Sequence, residues 1–325
     1  MKTRFRIFLP AAAAAVLLIY LAGPEINMDT SFSEVQIPES LEKIEQYIES
    51  GEALHTDIRP GTEKKIVWAD EGGRKRITEY SIIYLHGFTA SRMETEPVTS
   101  NVASALGANV FYTRLKGHGH YQLDAQDNVN LSDWLFDAKE ALEIGKKIGE
   151  KVIIISCSSG APLASWLCSN FPENIYAAVM ISPNFRPKDS RAMLIAEKWG
   201  PLIAKLSEGE IIGEHEKIVS PAHAAGWSYI YKTEFLFPMI ALLETVNKTD
   251  FSKITIPLEV FYSPDDMIVD QKKTLTVYEK WGAVKKNIFK VENPGDKNSH
   301  IICGDIFSPD TTGLVTEKII QFIRN

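Results

Sequence analysis

The sequence predicts an α/β fold, with a mostly parallel central sheet covered by helices on both faces. Three observations carry this. Short runs of β-branched and aromatic residues alternate with helical segments of ten or more residues, the pattern of parallel strands joined by crossovers. Apolar runs such as Val152-Ile153-Ile154-Ile155 and Ile175 to Ile181 read as buried strands. One strand, Lys151 to Ile155, leads through Ser156-Cys157-Ser158-Ser159-Gly160 into a helical stretch, Ala161 to Cys168. At 325 residues the chain is long enough for one elaborated α/β domain or two smaller ones.

In chain order, Pro38-Glu39-Ser40 opens a short amphipathic helix in which Leu41, Ile44, Tyr47 and Ile48 share a face. Ile66-Val67-Trp68 and Ser81 to Leu85 read as early strands, separated by a turn at Gly72-Gly73. A helix near Pro97 to Leu106, a strand from Asn109 to Leu115 and a helix from Leu131 to Ile148 follow. After Ile175 to Ile181 the last strands are Leu258 to Tyr262 and Asn287 to Val291, with helices at Gln271 to Trp281 and Thr311 to Ile323. Between Ser182 and Pro257 lie about seventy residues without strand character, against a usual connection of roughly 4–6 residues. Their helical patches, Ala192 to Leu206, Ala222 to Tyr231 and Phe235 to Val246, are rich in aromatic and aliphatic side chains. Such an insertion is either a lid over a site or a piece of a second core; entering directly after the strand that follows the Ser158 helix, it reads as a lid.

The first residues form a separate unit. Lys2, Arg4 and Arg6 precede an apolar stretch from Ile7 to Ala22, a positive region followed by a hydrophobic one. The exit, Leu21-Ala22-Gly23-Pro24, has no A-x-A cleavage pattern and no lipoprotein cysteine, so residues 1–24 read as an uncleaved signal anchor rather than a cleaved signal peptide. Cations on the N-terminal side predict that the rest of the chain is translocated, to the periplasmic face in a bacterium. The expected organisation is this segment, a polar stretch with a short helix over 25–60, and a main domain over 61–325 with its insertion at about 184–253.

Composition narrows the function. It is 45% hydrophobic and 24% charged, and a net charge of −7 argues against a phosphate-binding surface, so nucleic acid is not an expected partner. The three cysteines, Cys157, Cys168 and Cys303, match no zinc spacing and read as small buried residues, with a Cys168–Cys303 bridge left open. His118 and His120 have only Asp124 close by as a carboxylate, so no metal and no cofactor is expected.

A small residue, any residue, serine, any residue and glycine at a strand-to-helix turn is the pattern of a nucleophile elbow. A serine nucleophile needs a base, a group to hold the base, and donors for the oxyanion. Just past the strand Leu258 to Tyr262, Asp266 precedes the apolar pair Ile268-Val269 and is the expected acid, with Asp265 the alternative. Of seven histidines only His215, His223 and His300 follow Ser158, and only His300 follows the acid. The oxyanion donors expected are the amides of Ser159 and of Phe88, the latter after the strand end Tyr84-Leu85-His86-Gly87. His86 more naturally orders that loop than acts as base.

Taken together, Leu85-His86-Gly87-Phe88, Arg114-Leu115-Lys116-Gly117-His118-Gly119, Trp134, Ser156 to Gly160, Asp266 and His300 resemble the monoacylglycerol lipase and carboxylesterase branch of the α/β-hydrolases. The resemblance runs from about Ile66 to the C-terminus. It implies an α/β-hydrolase fold with a helical cap near Asn184 to Lys253, a Ser158–Asp266–His300 triad, and an oxyanion hole of the Phe88 and Ser159 amides. The departure is Ser156-Cys157 where the family commonly has glycine and another small or polar residue. The expectation is a membrane-held serine hydrolase of lipid-like or medium-chain esters, with a small-molecule ester as its substrate. Two alternatives stand beside it. One is a peptidase of the proline-iminopeptidase type, with Glu208, Glu210, Glu214 and Glu216 as candidates to bind a substrate amine. The other is an inactive, membrane-anchored binding protein.

Overall fold

The computed structural model describes residues 14, 16–69, 72, 74–213 and 218–325. In chain order the strands are β1 (Lys65–Val67), β2 (Thr78–Leu85), β3 (Asn109–Tyr112), β4 (Gly149–Cys157), β5 (Ile175–Ile181), β6 (Ile211–Gly213), β7 (Ile230–Lys232), β8 (Leu258–Tyr262) and β9 (Lys286–Lys290). The α-helices are α1 (Leu41–Glu52), α2 (Val98–Leu106), α3 (Leu131–Ile148), α4 (Gly160–Asn170), α5 (Gly200–Glu208), α6 (Pro221–Gly226), α7 (Leu236–Val246), α8 (Gln271–Lys280) and α9 (Pro309–Arg324).

Seven strands form the main sheet in the order β1-β3-β2-β4-β5-β8-β9. Among the described residues of this sheet only β1 runs antiparallel to its neighbour; the other pairings are parallel. Two-residue alternation sends Ile83, Ile154 and Ala178 to one apolar layer and Ile82, Ile153, Ile155 and Val179 to the other. Helices α3, α4 and α7 cover the first layer, and α2 and α9 the second. Burial on both faces is why these strands read as continuous apolar runs. The expected strand from Asn109 to Leu115 stops at Tyr112 because the chain leaves the sheet there. The Leu115 N–H instead donates to His86 Nε2 at 3.0 Å.

The insertion between β5 and β8 differs from the expected lid in two respects. Its last helix, α7, is a core element: Ile240, Ala241, Leu242 and Leu243 are fully buried in the layer shared with α3 and α4. Only the part before α7 stands over the domain. That part contains a small antiparallel pair, β6 with β7, in a stretch read as lacking strands. Three-residue strands far apart in sequence leave no alternation to detect.

Cys157, Cys168 and Cys303 are free and buried. Cys168 lies in one apolar layer and Cys303 in the other, so the sheet separates them and no bridge joins them. Among the described residues no helix is long and apolar enough to cross a membrane. Residues 1–13 and 15, which hold the cations and much of the apolar run of the expected anchor, lie outside the described residues.

Candidate active site

The elbow is built as its spacing requires. β4 ends at Cys157, and Ser158 sits at φ +49° before α4 begins at Gly160. The left-handed conformation turns the chain sharply and is costly for a residue with a Cβ. It is held by backbone bonds on each side: the Ser158 N–H donates to the Ile181 carbonyl at 2.9 Å, and the Ser158 carbonyl accepts from Asn184 at 3.0 Å. A Cβ at Gly160 would lie 2.0 Å from the Leu85 carbonyl oxygen, so only glycine lets α4 start this close to β2. Ser156, the departure from the family pattern, fits without strain. Its hydroxyl donates to the Val179 carbonyl at 3.0 Å, inside the sheet.

The structure brings the three predicted side chains together from separate loops. Ser158 Oγ lies 3.0 Å from His300 Nε2, and His300 Nδ1 lies 2.8 Å from Asp266 Oδ2. With the Nδ1 proton donated to the carboxylate, Nε2 is left as the acceptor for the serine hydroxyl. Asp266 is held in turn, its Oδ1 accepting from the Ile268 and Val269 amides at 2.8 and 2.9 Å. Asp265, the alternative acid, is exposed to solvent, whereas Asp266 is buried. His300 owes its place to Asp296, whose Oδ2 accepts from the His300 and Ile301 amides at 2.9 and 3.0 Å. The Ser182 hydroxyl donates to the His300 carbonyl at 2.5 Å.

On the other side of Ser158 runs the loop His86-Gly87-Phe88. A Cβ at Gly87 would lie 3.1 Å from Ser158 Cβ, so the loop is in contact with the serine. Neither the Phe88 nor the Ser159 amide donates to another described residue, which leaves both available as oxyanion donors. His86 is buried, with Nδ1 2.9 Å from the Gly87 carbonyl and Nε2 accepting from Leu115. Burial pushes its pKa down to about 4, so it is neutral and orders the loop rather than serving as base.

His118 and His120 do not share a ligand site. His118 lies among the rings of Phe88, Trp134 and Phe235. His120 Nδ1 is 2.7 Å from Asp57 Oδ1 and its Nε2 is 2.9 Å from Arg114 Nη1. Among the described residues no group of three or more His, Cys, Asp or Glu side chains is placed to hold a metal ion. A polar cleft of about 670 Å³ lined by residues of α1, α3 and the Arg114 loop carries paired charges: Arg114 with Glu52, and Lys64 with Asp137 and Glu140. Two of its contacts tie α1 to the domain: Glu52 to Arg114, and the Tyr47 hydroxyl donating to Glu140 at 2.6 Å. His223 packs in the insertion against Trp227 and Phe307, away from the triad's contacts, and His215 lies outside the described residues.

Three residues of the site had no signal in the sequence. Glu94, buried in a short 3₁₀ turn, accepts from the Gly87 amide at 2.7 Å and from the Tyr84 hydroxyl at 2.9 Å. Asn184 donates to Ser159 Oγ at 3.3 Å. Asp296 is the third. Each acts through a backbone or loop contact that no periodicity or spacing encodes. The insertion closes over the site from above. The Ser228 amide donates to the Thr89 carbonyl at 2.8 Å, and Phe88 meets Tyr231 and Phe235 at 5.2 and 5.4 Å between ring centres.

No protein-family profile matches the sequence, and no curated protein does. Solved structures do match in shape. One belongs to a pair of metagenome-derived lipolytic enzymes, LipS and LipT, at 19% identity and a TM-score of 0.63, over 82% of this chain and 99% of the other. A soluble variant of monoglyceride lipase from Saccharomyces cerevisiae matches at 14% identity and 0.59, over 81% and 90%. The monoacylglycerol lipase of Paleococcus ferrophilus matches at 15% and 0.57, over 80% and 97%.

Proposed function

We propose that this chain, which has the α/β-hydrolase fold, hydrolyses carboxylic esters through an acyl-enzyme on Ser158. The observation that carries the reading is the unbroken Asp266–His300–Ser158 chain, with contacts of 2.8 and 3.0 Å. His300 takes the Ser158 proton as Oγ attacks the ester carbonyl, and the Phe88 and Ser159 amides receive the negative charge on the carbonyl oxygen. The imidazolium, stabilised by Asp266, passes its proton to the departing alkoxide, and the alcohol leaves. His300 then deprotonates a water that attacks the acyl carbon. As the second tetrahedral intermediate collapses, the Ser158 oxygen takes the proton back from His300 and the acid is released.

The half-buried rings of Phe88 and Tyr231, packed on each other beside the loop that touches Ser158, support an acyl chain as the recognised part, hence lipid-like or medium-chain esters. An amine site of the peptidase kind finds no support. Glu208 is exposed, Glu210 lies 3.6 Å from Lys205, and Glu214 and Glu216 fall outside the described residues. A chain-length series of nitrophenyl esters, with fluorophosphonate labelling, tests the reading. Turnover should be lost in Ser158→Ala together with the label, and equal turnover by both proteins would exclude a serine mechanism.

Residues 1–24 complete the proposal as a membrane anchor that places the domain on the translocated face. Sedimentation of the full chain with membranes after an alkaline wash, against release of a chain starting after Pro24, distinguishes an anchor from a removed leader.

A further inference from the structure

Where the N-terminal segment meets the domain, it is bonded to the insertion. The Trp199 amide donates to the Pro24 carbonyl at 2.9 Å and its indole N–H to the Ile19 carbonyl at 3.1 Å. Gly23 lies so close under the indole that a Cβ there would sit 2.3 Å from the ring. Lys198 pairs with Glu25 at 2.8 Å. Trp199 holds φ +70° to make these contacts, an unfavourable geometry for a tryptophan that the surrounding bonds must sustain.

Trp199 immediately precedes α5. That helix buries Pro201 and Ala204 and turns its other apolar side chains outward: Ile203 is 60% and Leu206 77% exposed, with Leu202 beside them. Leu194, packed against the start of α5 through Gly200, is also exposed. On the other side of Trp199, Leu17, Leu18 and Ile19 are exposed in the same way. Single exposed apolar residues are ordinary, but rows of them on two joined segments are not.

We propose that α5 and the end of the N-terminal apolar segment form one surface that docks on a lipid bilayer, with Trp199 fastening the two together. This rests on reading residues 1–24 as an anchor. The occupant follows from where that segment ends. Its apolar run from residue 7 to residue 22, with Lys2, Arg4 and Arg6 in front, finishes in a turn tied to Trp199. A bilayer that takes up the run therefore meets Leu202, Ile203 and Leu206 at its surface. The same insertion packs on the loop at Phe88, so the docked face and the loop beside Ser158 belong to one packed unit.

The test uses the full chain in phospholipid vesicles carrying a polarity-sensitive dye at Leu206→Cys. The native cysteines are buried and stay unlabelled. A second protein carries the dye at Leu314→Cys, on α9 against the opposite layer of the sheet. The expected result is a blue shift and quenching by acyl-brominated lipid at residue 206, and neither at residue 314. Full-length protein that sediments with vesicles but shows equal, unquenched emission at both positions overturns the docking surface and leaves the anchor standing. Protein that stays out of the vesicle fraction overturns the anchor and the docking surface together. A blue shift at residue 206 in the absence of lipid, unaffected by brominated lipid, identifies a second copy as the occupant and also overturns the proposal.

Discussion

The Glu94 carboxylate accepts the Gly87 N–H at 2.7 Å and so fixes, from beneath, the loop that touches Ser158. The bond reaches across seven residues of chain, and the Tyr84 hydroxyl, itself an acceptor for Thr95, shares the same oxygen. Burial pushes the Glu94 pKa up to about 7, partly offset by the Gly87 and Tyr84 hydrogen bonds.

Glu94→Ala should leave the Gly87 N–H and the Tyr84 hydroxyl buried without partners. The expected cost is about 1–3 kcal/mol of stability, with kcat lower by roughly ten- to a hundredfold and KM little changed. Glu94→Gln, which keeps an acceptor, should restore most of the turnover. Urea unfolding and steady-state kinetics on both variants check this.

The raised Glu94 pKa also sets a pH dependence. The native state holds this proton more tightly than the unfolded chain, so its contribution is fully present below pH 4.5 and is lost as pH rises through about 7. The stability advantage of wild type over Glu94→Gln should shrink across that window. A difference that grows with pH would mean that the carboxylate, not the acid, is the favoured form.

Ser158 at φ +49° carries a backbone cost that glycine does not. Ser158→Gly should abolish ester turnover yet raise stability by about 0.5–1 kcal/mol, as a thermal melt would show. Gly160→Ala has the opposite character. Its Cβ would meet the Leu85 carbonyl at 2.0 Å, so it should lose both stability and activity.

Asp266→Asn should cut kcat by roughly 10³–10⁴-fold by upsetting the imidazole tautomer, while Asp265→Asn stays near wild type. Comparable losses in both would place the acid elsewhere.

Glu259 lies on β8, fully buried, with neither carboxylate oxygen hydrogen-bonded to a described residue. Burial pushes its pKa up to about 8, with Lys285 and Lys318 pulling the other way. Its ionisation therefore destabilises the native state increasingly from pH 4.5 to about 8. Glu259→Gln should gain about 1–2 kcal/mol at pH 8–9 and nothing near pH 4, measured by urea unfolding at both values.

Much was legible in the chain because its physics is local. The α3 span from Leu131 to Ile148 and the β5 span from Ile175 to Ile181 follow from apolar periodicity, which burial on one stripe or on both faces imposes. The elbow was legible because a tight turn admits few residue types, and His300 because chain order left one candidate. Choosing Asp266 over Asp265 rested on the apolar pair Ile268-Val269, and the amides of those two residues hold its carboxylate.

The rest depended on the folded chain. Whether α7 is lid or core turns on which layer receives its apolar face, and a sequence of leucines and isoleucines suits either. Glu94, Asn184 and Asp296 matter through pairs of hydrogen bonds to backbone or side chains brought near by the sheet order. By itself the sequence determined most strands of the main sheet, the longer helices and the three side chains, Ser158, Asp266 and His300, that the fold brings together, since these follow from periodicity, turn chemistry and order. Only the tertiary structure decided what supports them and where the cap meets the N-terminal segment. Those are contacts between residues distant in the chain, and local pattern carries no record of distant neighbours.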